Sequence, residues 1–185
     1  MEKEEFKEAG LAYIQAIKYN NENANLYYDL GIAYCRINEF PLAKQCFEKT
    51  VELNSSFYNA YYRLGQIALL YRDIEVAEGY FLQSMYGETE GKSYYQLAKI
   101  YIIKNDKNKA IMFINKAIEF NPKYYEYVQK EPIFFPIKKQ IEKIDKLDKK
   151  IPEESEKEKI ISKYLDNTYD LTKELNKKEN KNKKI

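Results

Sequence analysis

The chain has no histidine and no tryptophan, and only two of its 185 residues are cysteine. Without histidine there is no Ser-His or Cys-His nucleophile and no imidazole for a metal. Cys35 and Cys46 lack CxxC spacing, so they build neither a zinc site nor a disulfide framework. Glycine (six) and proline (five) are scarce, which favours helices joined by short turns. No run of about 18 apolar residues exists to span a membrane. The charged start, Met1-Glu2-Lys3-Glu4-Glu5, lacks the apolar segment of a signal peptide. A formal net charge of +2 gives no overall field toward nucleic acid or a lipid surface. These absences predict a cytoplasmic protein with no catalytic, metal-binding or cofactor-binding residues.

What the chain does have is internal repetition. Tyr27-x2-Leu30-Gly31-x2-Tyr34 is followed by Ala43-x3-Phe47. Tyr61-x2-Leu64-Gly65-x2-Ala68 is followed by Ala77-x3-Phe81, and Tyr94-x2-Leu97-Ala98-x2-Tyr101 by Ala110-x3-Ile114 and Pro122. An earlier half-unit, Ala9-x3-Tyr13-x2-Ala16, matches only the second part. Ala9, Ala43, Ala77 and Ala110 recur at intervals of 34, 34 and 33. Tyr27, Leu30, Gly31 and Tyr34 share one helical face, and Ala43, Phe47 and Thr50 share another on the following helix. Gly31 and Ala43 are small where two helix backbones are expected to approach. Residues 36–40 form the turn between them, and Pro41 suits the first turn of the next helix. Asn20, Asn54 and Asn121, at the ends of second helices, are expected in the left-handed cap conformation.

Over roughly residues 3–125 this pattern resembles the tetratricopeptide repeat, with tyrosine in place of the usual tryptophan. The resemblance implies an all-α fold, a right-handed solenoid of antiparallel helix pairs with about three full repeats. An N-terminal half-repeat and C-terminal capping helices complete it. It also implies an interaction module whose first helices line a concave groove for a peptide or helix of a partner protein. Helical spacing then assigns Asn25, Tyr28, Ile32 and Cys35 of the first unit to that face. Asn59, Tyr62, Gln66 and Leu69 follow in the second unit, with Arg63 beside them, and Lys92, Tyr95, Lys99 and Ile102 in the third. The tyrosines either contact the partner or pack between neighbouring helices. One subfamily clamps the terminal carboxylate of chaperones. At its positions this chain has Tyr28, Ile32, Arg63 and Gln96, with only Lys92 fitting, so that ligand is excluded.

After Pro122, Tyr124–Val128 reads as a shortened first helix. An amphipathic capping helix is expected from Ile133, with Phe134, Ile137, Ile141, Ile144, Leu147 and Ile151 on its apolar side. Residues 1–150 thus form the solenoid and its cap, and 151–176 a further amphipathic helix lined by Ile161, Leu165, Thr168, Leu171 and Leu175. Residues 177–185 form a Lys/Asn-rich tail expected to lack fixed structure. The second helix either folds back or docks on another chain, so the alternative function is a chaperone-like or self-assembling protein whose helix fills its own or a neighbour's groove. The stretch Gly87–Ser93 imitates a phosphate loop, but three residues separate its glycines where four are needed, and a helix precedes it. Glu48, Glu52, Glu75 and Glu78 read as solvated helix faces, and the basic tail as a solubilising segment without specific affinity for nucleic acid.

Overall fold

The computed structural model describes residues 2–87 and 90–141. Among the described residues there are eight α-helices and no strand. They are α1 (Glu2–Tyr19), α2 (Ala24–Arg36), α3 (Phe40–Leu53), α4 (Tyr58–Leu70), α5 (Ile74–Ser84), α6 (Lys92–Ile103), α7 (Lys107–Phe120) and α8 (Lys123–Lys130). By contacts the chain divides into two compact units, Met1–Tyr80 and Phe81–Ile185, with the boundary inside α5.

The first unit is built by α1 on α2, α2 on α3 and α3 on α4. Its core is Ala43, Phe47, Ala60, Leu64 and Ile67, edged by Tyr28, Ile32, Tyr34, Cys35, Phe40, Val51, Phe57 and Tyr80. The repeat spacing is what delivers these residues, because each motif position falls on the same inward stripe of its helix. Pro41 sits in the first turn of α3, where its missing N–H costs no helical bond. Gly31 is small for a different reason from the one its sequence suggests. A Cβ there would stand 2.7 Å from Phe47 Cε1, so the glycine makes room for a ring rather than for a neighbouring backbone.

The second unit pairs α6 with α7, and α8 packs on α7. Tyr94, Leu97, Ile100, Phe113, Ile114 and Ala117 are fully buried, with Tyr101 stacked on Phe113 at 5.2 Å. The last turn of α5 is replaced by a 3-10 turn, Met85–Gly87. Ser84 Oγ donates to Phe81 O and stands 2.8 Å from the buried Ser93 Oγ, so Ser93 is a structural hydroxyl. Glu88 and Thr89 of the loop-like motif lie outside the described residues.

Two local expectations change. Asn54 and Asn121 are extended (φ −144° and −150°), not left-handed. Their side chains, with that of Asn20, accept the N–H two residues on, from Ser56, Lys123 and Glu22. The next helix begins only a few residues later, and an Asx turn bends the chain toward it. The left-handed positions are instead Asn38, Arg72 and Asn105, between first and second helices, and they repeat at the 34- and 33-residue period. The second change concerns the cap. Over the described part, to Ile141, the continuous helix expected from Ile133 is two 3-10 turns, Pro132–Phe134 and Lys138–Gln140. Pro136 lacks an N–H, and its ring would strike the carbonyl four residues back, which breaks an α-helix. The apolar stripe is still used: Phe134, Ile137 and Ile141 are buried. Ile144, Leu147, Ile151, the 151–176 helix and the 177–185 tail lie outside the described residues.

Candidate partner-binding faces

In the first unit the face opposite the inward stripe runs along α2 and α4. Asn23 starts α2 by accepting the Asn25 N–H at 3.0 Å, which leaves the Asn25 side chain in solvent. Asn59 is exposed in the corresponding place on α4. Tyr28 is turned inward: its ring lies 5.5 Å from Phe47 and 4.8 Å from Phe57. Ile32 and Cys35 are half-buried at the core's edge, and Tyr62 and Leu69 are half-buried on α4. Arg63 Nη1 donates to Gln66 Oε1 at 3.0 Å, one turn along. Burial pushes the Cys35 thiol above its usual value, and the positive charges of Arg63 and then Arg36 pull it partly back. Both guanidinium groups therefore bear on that thiol.

In the second unit the same face of α6 is covered. Tyr95 is only 7% exposed, ringed by Tyr124 at 4.8 Å, Phe134 at 5.5 Å and Tyr127 at 6.2 Å. Lys99 lies 5.5 Å over the Tyr95 ring and pairs with Glu131 at 3.1 Å. Burial foremost, then the Glu131 carboxylate, holds the Tyr95 hydroxyl far above the ordinary phenol range. That hydroxyl stands beside the carboxylate but outside strict hydrogen-bond geometry. Tyr95 thus packs between helices, and Lys99 holds the hook that follows α8. Lys92 and Ile102 remain half-exposed.

The predicted residues therefore separate. Asn25, Asn59, Tyr62, Arg63, Gln66 and Lys92 keep accessible surface, whereas Tyr28, Tyr95 and Lys99 are engaged internally. Sequence spacing did not reveal Glu131 or Phe57, because neither belongs to the motif positions. It also missed a cleft of about 480 Å³ on the second-helix side of the first unit. Leu64, Ile67 and Ala68 line it, with Val76 and Tyr80, and Lys44, Glu48 and Asp73 stand around them. Among the described residues, no three His, Cys, Asp or Glu side chains group to hold a metal, and no helix is long and apolar enough to cross a membrane.

Residues 91–124 match the family described as Tetratricopeptide repeat. The chain thus carries a tetratricopeptide repeat, the family that its repeat pattern resembles. Solved structures of the same kind surround it. YrrB, described as a TPR protein with an unusual peptide-binding site, is 25% identical with a TM-score of 0.60. That match covers 66% of this chain and 62% of YrrB, just under two thirds of its length. A MamA structure is 26% identical over 69% of this chain and 70% of its own, with a TM-score of 0.62. A second MamA structure, 23% identical, covers 88% and 94% with a TM-score of 0.61 and supports the fold. No curated protein gives a significant match. The fold class of this repeat protein is an all-α helical-repeat solenoid.

Proposed function

We propose that this repeat protein is a cytoplasmic adaptor that holds a peptide or helix of a partner protein against the first-helix faces of its repeats. The observation that carries this reading is the row of polar side chains that keep accessible surface on α2 and α4: Asn25, Asn59, Arg63 and Gln66, with Tyr62 among them. Amide and guanidinium groups can bond an extended backbone, and tyrosine adds contact area at little rotamer cost. The described peptide-binding site of YrrB favours the same reading by analogy. Because Tyr95 and Lys99 are spent on the chain's own hook, Lys92 is the residue of α6 assigned to contact. The chaperone carboxylate ligand is left out, since Arg63 and Gln96 replace the residues its clamp needs. The absence of histidine and of a convergent acid–base pair among the described side chains supports binding rather than catalysis.

A displayed library of random 12-residue peptides, selected on the full chain and then measured against Tyr62→Ala, tests this. Selection of a consensus that Tyr62→Ala weakens supports the assignment; a consensus indifferent to Tyr62, Asn59 and Arg63 moves the site elsewhere. The competing reading, self-assembly through the 151–176 segment, is favoured by the stripe Ile161, Leu165 and Leu171. It predicts a concentration-dependent mass in solution that Leu165→Asp abolishes.

A further inference from the structure

Arg63 is unlike the paired cations of this protein. Lys7, Lys44, Lys49, Lys99, Lys109, Lys116 and Lys130 each stand within ion-pair distance of a carboxylate. Among the described residues no carboxylate reaches Arg63, although it is half-buried and its solvation is reduced. Its one hydrogen-bond acceptor is the neutral amide of Gln66. A guanidinium has five donors in a planar fork, so one bond to Gln66 uses only a small part of its bonding capacity. Arg36, at the end of α2, is the second guanidinium that bears on Cys35. It lies 5.6 Å over the Phe6 ring and likewise has no carboxylate within reach among the described residues. These are two of the chain's three arginines. The sequence of α4 contains no acid, and that of α2 contains one, Asp29. The remaining groups along the face, Asn25, Ile32, Asn59 and Tyr62, are neutral.

We infer that the α2–α4 face takes an acidic segment of a partner protein, an aspartate or glutamate side chain forming the forked ion pair with Arg63. Asn59 and Gln66 flank that pair with amides, and Arg36 adds positive field at the α2 end. This rests on the reading that the first-helix face is the binding face, and it names the chemistry recognised there. Arginine at the centre suits it better than lysine, because the fork fits both oxygens of one carboxylate.

The test uses the full chain and three amidated, fluorescein-labelled peptides derived from one library-selected sequence. Alternate positions carry Glu, Gln or Lys, and amidation leaves carboxylates only on side chains. Fluorescence anisotropy is expected to show the Glu peptide binding at least about tenfold tighter than the Gln peptide, the factor a charge-assisted pair supplies. Arg63→Gln should erase that preference, bringing the Glu and Gln peptides to the same affinity, and Arg63→Lys should restore part of it. Bound Glu peptide should also slow alkylation of Cys35. Equal binding of Glu and Gln peptides, or an acid preference that survives Arg63→Gln, overturns the inference and leaves the adaptor reading standing. Failure of every peptide to bind sinks both. A switch from dimer to monomer in Arg63→Gln, read by light scattering, would assign the face to a second copy and overturn the partner assignment.

Discussion

Three glycines in this protein should respond to the same alanine substitution in different ways, and the differences follow from what an added Cβ would meet at each. Gly31 lies against Phe47: an added Cβ would stand 2.7 Å from Cε1 and 3.0 Å from both Cδ1 and Cζ. The ring is fully buried and held by Tyr28, Ala43 and Leu64, so it cannot withdraw freely. Overpacking costs about 1–3 kcal/mol, against roughly 1 kcal/mol gained by alanine in a helix. The net for Gly31→Ala is about 1 kcal/mol of destabilisation. Gly79, inside α5, has nothing within 4 Å of its Cβ position, so Gly79→Ala should stabilise by up to about 1 kcal/mol. Gly91 has φ +79°, and its Cβ would lie 2.7 Å from the Ala117 carbonyl oxygen, a backbone atom. Left-handed strain of about 1–2 kcal/mol adds to that clash, making Gly91→Ala the worst of the three at about 3 kcal/mol. For a chain of this size each kcal/mol moves Tm by about 2–4 °C. Circular dichroism melts should therefore lower Tm for Gly31→Ala, raise it for Gly79→Ala and lower it most for Gly91→Ala. A Phe47→Leu change should cost less in the Gly31→Ala background than in the wild type, because the two groups compete for one space. If Gly31→Ala and Gly79→Ala shift Tm in the same direction, the packing explanation is wrong.

In the hook after α8, Phe134→Ala should cost about 3–5 kcal/mol, because the ring is fully buried against Tyr95. Glu131→Gln, which breaks the half-exposed pair with Lys99, should cost under about 1 kcal/mol, and comparable losses in Tm would refute the ordering. Asp106 caps α7 by accepting the Lys109 N–H at 3.1 Å, whereas Glu39 caps α3 without a side-chain bond. Asp106→Ala should lower stability to urea by about 1 kcal/mol and Glu39→Ala by almost nothing, with equal effects counting against the caps. Burial pushes the Cys46 thiol up to about 11 from its ordinary 9.0. A raised folded pKa leaves its stabilisation intact below pH 9 and loses it as pH rises toward 11, by on the order of 2–3 kcal/mol. Urea midpoints should fall across that window, and Cys46→Ala should flatten the fall; an unchanged slope in the variant would remove the thiol as its cause.

Periodicity made the inward residues legible because burial depends on which helical face a residue occupies, and face follows from spacing alone. Ala43, Phe47, Leu64, Ala77, Phe81, Leu97 and Ala110 all lie in the core as the motif placed them. Backbone conformation between helices was less legible. The left-handed residue before the second helix is asparagine at positions 38 and 105 but arginine at 72. Composition does not announce Arg72, because the closing bonds, Arg72 N to Leu69 O and Asp73 N to Ala68 O, are made by backbone and accept almost any side chain. The hook was legible as an apolar stripe but not as 3-10 turns, since Pro136 changes the path without changing which residues must be buried.

The tyrosine row shows why a binding face is harder to read than a core. Tyr28 and Tyr95 occupy equivalent repeat positions, yet each is drawn inward by an aromatic from outside the motif, Phe57 in one unit and Phe134 in the other. An aromatic side chain is apolar enough to be claimed by whatever packs beside it, so its recurrence does not distinguish a docking surface from an internal seam. A guanidinium is different: burial without a counter-charge is costly, and its donors are satisfied only by particular geometry. Arg63 has used one donor on Gln66, and no described carboxylate meets the others. Recognition on this face is therefore signalled less by the repeated aromatic than by Arg63, a half-buried guanidinium that no described carboxylate meets.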